Sequence, residues 1–256
     1  MASGSGASAR RSCSKWSPET KTWGEVATFD AGGEELAGIA VVGEMPFLIF
    51  PRKVLSPIYR HTFEVPQLQG QFNDLRKLRV LAVQPMDHVV WIGTGYGEWG
   101  GHLVGLDVRT GGWDQFYGAV HYVTGIARGP KDEPIVSWSM SHFSANTLIR
   151  VHKPDATPEI SYPELADKYC LKVAYSPFDK KLYGLEGKAI VAIIEGKPET
   201  VTKLDVQVFE REPRAIGVAP GILALIPVAP ETLVVVPSRS APLMIKGGKP
   251  ITLRAP

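Results

Sequence analysis

One pattern constrains this chain more than any other: a short apolar stretch closed by a turn, repeated five times. The copies are Gly38-Ile-Ala-Val-Val-Gly-Glu44, Val80-Leu-Ala-Val-Gln-Pro85, Thr124-Gly-Ile-Ala-Arg-Gly-Pro130, Lys172-Val-Ala-Tyr-Ser-Pro177 and Ala215-Ile-Gly-Val-Ala-Pro220. Their turns fall at 44, 85, 130, 177 and 220, so the spacings are 41, 45, 47 and 43 residues. A regular period means one small unit stacked on copies of itself, because each unit buries its apolar face only against a neighbour. The residues after each turn are also alike. A second apolar and aromatic run comes next, as in Val89-Val-Trp-Ile-Gly-Thr94, Pro134-Ile-Val-Ser-Trp138 and Lys181-Leu-Tyr-Gly-Leu185. A third run lies in Leu103–Val108, Thr147–His152 and Ala189–Ile194, then a polar turn, then a more polar fourth run such as Trp113–Tyr117 or Thr200–Leu204.

A four-stranded meander at this period is the unit of a β-propeller, whose blades take roughly 40–50 residues. The sequence therefore predicts an all-β fold, a β-propeller of about five four-stranded blades over residues 14–256, with residues 1–13 as a flexible tail. The 26 glycines and 21 prolines suit many turns and short strands. A β-sandwich would not account for the spacing; a six- or seven-bladed parent, cut short, is the structural alternative. Pro18-Glu-Thr-Lys-Thr-Trp23 parallels Val108-Arg-Thr-Gly-Gly-Trp113, so residues 14–30 read as a third and fourth strand that close the ring against the other terminus. The last unit is the least defined, because Ile222–Ile226 and Leu233–Val236 can be phased two ways. Helical periodicity is scarce, with one short turn allowed at Tyr162–Tyr169.

The stretch Val90-Trp-Ile-Gly-Thr-Gly95, continued by Gly101-His-Leu-Val-Gly-Leu-Asp-Val-Arg-Thr-Gly-Gly-Trp113, resembles the regulator-type propeller repeat and is similar to NHL, quinoprotein and lyase-type repeats. The segment Gly95-Tyr-Gly-Glu-Trp-Gly-Gly101 departs from that repeat by being longer than its usual turn. The resemblance implies an architecture shared by many functions and brings no catalytic residues with it.

Much can be excluded. A net charge of +2, from 28 basic and 26 acidic residues, does not suggest a nucleic-acid binder. Cys13 and Cys170 are too few for a disulfide scaffold or a four-cysteine zinc site, and read as unpaired thiols, with one disulfide the alternative. No window is apolar enough to span a membrane, and residues 1–11 lack the apolar core of a signal peptide, which leaves a cytoplasmic protein or a truncated secreted domain. Gly95-Tyr-Gly-Glu-Trp-Gly100 matches G-x-G-x-x-G, but a strand pattern comes after it where a dinucleotide site needs a helix. No Walker loop, H-E-x-x-H or G-x-S-x-G motif is present.

Strands that run alternately up and down sort the loops onto two faces. The second-to-third-strand loops and the between-blade loops share one face, here the first face. It carries Arg52, Arg76, Tyr96, Glu98, Trp99, His121, Tyr122 and His142. Aromatics that cover apolar rings, with Arg and Glu for polar groups, make Trp99, Tyr96, Glu98, Arg52, Tyr122 and Arg76 the candidate ligand-binding set. Trp99 in its Gly-rich loop serves equally well packed over a neighbouring blade. His142 and His121 are the candidate proton-transfer groups, with Tyr96 assisting, because imidazole titrates near neutrality. No cofactor is expected; His102, His121 or His142 with Glu98 leaves room for a divalent metal. Asp87 and His88 read as an ordinary turn on the opposite face, Trp91 and Trp138 as core, and Trp23 and Trp113 as packed between blade edges. The reading favoured is a binding module for a carbohydrate, small polar ligand or protein. The alternative is a lyase or hydrolase acting on a polar or acidic sugar, with His142 or His121 as acid or base.

Overall fold

The structure is a computed structural model that describes residues 10–17, 19–66, 79–95, 101–116, 122–140, 145–150, 159–160, 170–186, 189–194, 197–204, 222–237 and 240–253. Every regular element among them is a strand. Two open the chain, β1 (Arg10–Ser17) and β2 (Thr22–Asp30). Twenty more form five four-stranded antiparallel sheets, each a meander in chain order. The first sheet is β3 (Gly38–Val42), β4 (Met45–Ile49), β5 (Lys53–Ser56) and β6 (His61–Glu64). The second is β7 (Arg79–Met86), β8 (Val89–Gly95), β9 (Leu103–Asp107) and β10 (Trp113–Phe116). The third is β11 (Tyr122–Arg128), β12 (Pro134–Met140), β13 (Ala145–Arg150) and β14 (Glu159–Ile160). The fourth is β15 (Cys170–Ser176), β16 (Lys181–Glu186), β17 (Ala189–Ile194) and β18 (Lys197–Lys203). The fifth is β19 (Ile222–Ala229), β20 (Thr232–Pro237), β21 (Leu243–Lys246) and β22 (Lys249–Thr252).

The core lies between sheets, as the repeat requires. Phe47, Ile49 and Val54 of the first sheet pack with Val90, Ile92 and Leu106 of the second. Trp91 and Leu103 of the second meet Val123 and Val136 of the third. Ala127 and Ile135 of the third meet Val173, Leu182 and Ile193 of the fourth, and Tyr183, Leu185 and Ile190 of the fourth meet Leu225, Leu233 and Val235 of the fifth. The first strands β3, β7, β11, β15 and β19 all border one central channel of about 770 Å3. This is a β-propeller arrangement. Each turn between first and second strands holds one residue at positive φ: Gly43, Asp87, Asp132, Lys180 and Glu231. Glycine and aspartate tolerate that conformation better than lysine or glutamate, so the last two turns carry some strain.

Two expectations change. The turn of the fifth sheet is at Glu231, not at Pro220, because the first strand of that sheet is the long apolar run from Ile222. Residues 215–220 lie outside the described residues, as does the helical turn expected at 162–169. The N-terminal segment does not supply a third and fourth strand. β1 and β2 pair with each other as a two-stranded sheet, and among the described residues no ladder joins them to β22 or to any other strand. Each sheet already draws four strands from its own stretch of chain, so none has a vacancy. Phe29, Ala31 and Leu36 instead lie against Leu48, Phe50 and Leu55, on the face of the first sheet that points away from the second. β1 begins at Arg10, within the stretch read as tail. Trp23 is 69% exposed and does not pack between sheets, whereas Trp91 is buried and Trp113 packs at the edge of the first cluster as expected. Trp138 falls on β12, and its side chain lies outside what is described. Cys13 is a free thiol.

Among the described residues no buried cluster joins the fifth sheet to the first. The outward face of the fifth sheet carries a cross-strand row, Ile226, Val234, Met244 and Ile251, whose two end residues are about half exposed.

Candidate functional site

The first face is held by two sets of contacts. At the base of the long loop after β8, Thr94 and His102 bond to each other: Thr94 N donates to His102 O and His102 N to Thr94 Oγ1, each at 2.9 Å. His102 is buried, and its Nδ1 lies 2.9 Å from Gln115 Nε2. That bond occupies one of the two nitrogens His102 would offer a metal. Between β4 and β5, Arg52 Nε donates to Glu34 Oε1 at 2.5 Å, and Lys53 Nζ stands 4.0 Å from Glu34 Oε2. Arg52 is thus committed to a nearly buried carboxylate while its side chain stays 56% exposed. Of the other candidates, Tyr122 opens β11 opposite Ser139. Arg76, Tyr96, Glu98, Trp99, His121 and His142 lie outside the described residues.

The channel brings forward a residue that the sequence does not single out. Much of its wall is Ala and Gly: Ala37, Gly38, Ala82, Gly125, Ala127 and Ala174. Such short side chains leave the space between the inner strands open. Four inner strands carry a bulge near the first face, with the extra residue directly before Ala82, Gly125, Val173 and Ala224. A bulge adds a residue to one strand and re-aims side chains around it. The residues directly before them are Leu81, Thr124, Lys172 and Leu223, and in β15 the irregularity spans both Leu171 and Lys172. Thr124 turns its hydroxyl back onto Ser137 of its own sheet. Lys172 lines the channel. Burial pushes its ammonium down from the ordinary 10.5 to about 8, because a low-dielectric surround disfavours the charged form. The only signal in the sequence is a lone lysine near the start of an otherwise apolar inner strand.

The opposite mouth is neutralised. Arg128, at the end of β11, donates to Asp132 Oδ1 at 2.7 Å and to Asp87 Oδ1 at 2.9 Å, tying the second and third sheets. These bonds hold the guanidinium above its usual range and Asp132 below that of an ordinary carboxylate. Nearby, His88 Nε2 meets Arg109 at 2.6 Å and Asp107 at 3.4 Å. Burial raises the Asp107 carboxyl, but the backbone N–H groups of Arg109 and Thr110, with the Arg109 guanidinium and His88, outweigh it and leave the group below its ordinary value. The fourth and fifth sheets are tied by Asp179, whose Oδ2 accepts from Tyr183 OH at 2.6 Å and from Glu231 N at 3.1 Å. These turns are joined to one another, beyond the ordinary turn read for Asp87 and His88 in the sequence. Among the described residues no group of three or more His, Cys, Asp or Glu is placed to hold a metal ion, and no helix is long and apolar enough to cross a membrane.

No protein-family model and no curated protein matches the chain. Solved structures do, at the level of fold. The chain is similar to a protein provisionally named a gluconolactonase (TM-score 0.55, 10% identity, 94% of this chain and 82% of that one). It is similar to a quinoprotein alcohol dehydrogenase-like protein from Bacteroides thetaiotaomicron (0.56, 11%, 90% of this chain and 57% of that one). It is also similar to Sqt1 of Saccharomyces cerevisiae (0.53, 9%, 93% of this chain and 67% of that one). At these identities the likeness shows the propeller fold alone.

Proposed function

We propose that the chain is a binding module, a ring of five blades that takes a small polar ligand at the first face, with Trp99, Tyr96, Glu98, Arg52, Tyr122 and Arg76 as the residues that bind it. The channel supports this reading above all. Its volume of about 770 Å3 lies within the range of small-molecule sites, and its walls are apolar with polar groups set toward the ends. Lys172 lines the first-face end, and Arg128, toward the other end, is bound to Asp87 and Asp132.

The test is a thermal-shift screen of the purified chain against neutral sugars, uronic-acid oligosaccharides and divalent metals. A ligand at 100 times its Kd stabilises by about 2.7 kcal/mol. A shift with a sugar or sugar acid that is lost in Trp99→Ala or Arg76→Ala supports the reading. A shift that survives both changes removes the first-face rim from the site. Turnover of the ligand, lost in His142→Ala or His121→Ala, would replace the binding module with the lyase or hydrolase alternative.

A further inference from the structure

The geometry points to a second binding site, on the opposite face, where a cleft between the first and second sheets takes a small neutral phenol: its ring lies against Tyr59, His61 and Phe63, and its hydroxyl bonds to Ser56 Oγ. This site is separate from the first-face reading and does not depend on it. The cleft holds about 610 Å3 and lies between the β5–β6 turn and residues 108–111. Three observations carry the assignment. The first is an unmet hydroxyl. Ser56 is 1% exposed, and among the described residues its Oγ has no hydrogen-bond partner. Buried hydroxyls are nearly always bonded, because an unmet one loses its hydration and gains nothing in return. Register sets it there. Ser56 lies directly opposite His61 across the β5–β6 ladder, so both point to the same face as Phe63, which packs with Val90 and Leu106 of the second sheet. The second observation is an aromatic wall that leads out from that core. The rings of Phe47 and Phe63 have centroids 6.4 Å apart, His61 meets Phe63 edge-on at 4.4 Å, and Tyr59, 70% exposed, lines the rim. Gly111 faces the wall without a side chain; a Cβ there would stand 3.6 Å from the Phe63 ring. Such a wall accepts a flat ring, edge-on or offset. The third is charge. Arg109 also lines the cleft, but its guanidinium meets His88 at 2.6 Å and Asp107 at 3.5 Å. Its charge is balanced within the second sheet, so the cleft suits a neutral ligand better than an acid. A phenol meets all three conditions, and it stays neutral at pH 7 because phenols titrate at about 10.

The test is an amide-resolved NMR titration of the full chain with 4-methylphenol, and with toluene as the same ring and methyl group without the hydroxyl. Saturable shifts centred on residues 56–63 and 108–111 are expected with 4-methylphenol, with toluene binding weaker by about threefold or more. Ser56→Ala should weaken 4-methylphenol by about three- to tenfold and leave toluene unchanged. Tyr59→Ala, at an exposed position, should weaken both probes. Toluene binding as tightly as 4-methylphenol would overturn the assignment, because the hydroxyl of Ser56 would then play no part. Absence of saturable shifts, or shifts centred on the channel strands, also overturns it, whereas the first-face reading stands or falls on the sugar screen. N-acetyltyrosinamide carries the same phenol on a peptide unit. If it binds more weakly than 4-methylphenol, the ligand is a free phenol; if it binds more tightly, the cleft belongs to a tyrosine of a protein partner and the small-molecule site is overturned. The comparison of probes is made on the unaltered protein, so it decides the matter even if Ser56→Ala does not fold.

Discussion

Replacing Lys172 by methionine, which keeps the length of the side chain and removes its charge, changes how stability depends on pH. The ammonium falls from 10.5 to about 8 on folding, so between those values the unfolded chain binds more protons than the folded one. Stability then rises with pH across that window. Below pH 8 the folded protein bears the full cost of holding the charge in the channel; above pH 10.5 the amine is neutral in both states and the cost is gone. A difference of about 2.5 pKa units at 1.36 kcal/mol each sets that cost at about 3 kcal/mol at most. For a chain of this size 1 kcal/mol moves Tm by about 2–4 °C. Lys172→Met is therefore expected to melt higher than the parent at pH 7, by up to about 10 °C. The gap should close as pH climbs from 8 to 10.5. Melts recorded by circular dichroism at half-unit intervals from pH 6.5 to 10.5 measure it. Any contact that Lys172 makes through its stem adds a constant offset, so the slope of the difference is the diagnostic quantity. Two parallel curves would show that Lys172 is not desolvated and would refute the reasoning.

Other substitutions test the packing. The Cβ of Gly93→Ala would stand 2.2 Å from Val123 Cγ1 across the interface of the second and third sheets. The change should cost about 3 kcal/mol or more in urea melts. Trp91→Ala should cost about 3–5 kcal/mol because the ring is buried between the same sheets, whereas Trp23→Ala, at 69% exposure, should stay within about 0.5 kcal/mol. Asp179→Ala removes the acceptor of both Tyr183 OH and Glu231 N. It should lower stability by about 2 kcal/mol at pH 7, and lose its effect in a Tyr183→Phe background to the extent that the phenol bond carries it, as a double-mutant cycle would show.

The architecture is legible because its cause is local and repeated. Strands of β-branched and aromatic residues at a period near 44 leave few folds besides a stack of meanders. Gly93 in the Val-Trp-Ile-Gly-Thr stretch falls where a neighbouring sheet leaves no room for a side chain. The last sheet is misphased for the same reason. Ala215-Ile-Gly-Val-Ala-Pro220 imitates the earlier first strands more closely than the true strand does, and one sequence offers no contacts to decide between them. The N-terminal piece shares a turn motif with Val108–Trp113, but a motif cannot show that each sheet is already complete; that depends on pairing across the whole chain.

The site is harder to read for a further reason. Residues on loops announce themselves by type, so an aromatic and basic rim can be chosen by inspection, and of that set Arg52 is already bound to Glu34. Lys172 announces nothing, since one lysine in a strand is commonplace on an exposed edge. Its character comes from two facts invisible in composition: β15 is an inner strand, and a bulge there shifts the alternation of side chains by one residue. The same lysine one position along an unbulged strand would face a neighbouring sheet, where a charge is excluded, or solvent, where it is ordinary. On the channel wall it stands among Ala, Gly, Val, Ile and Leu, and that contrast, set by register and not by residue type, makes it chemically distinctive among the described residues that line the first-face end.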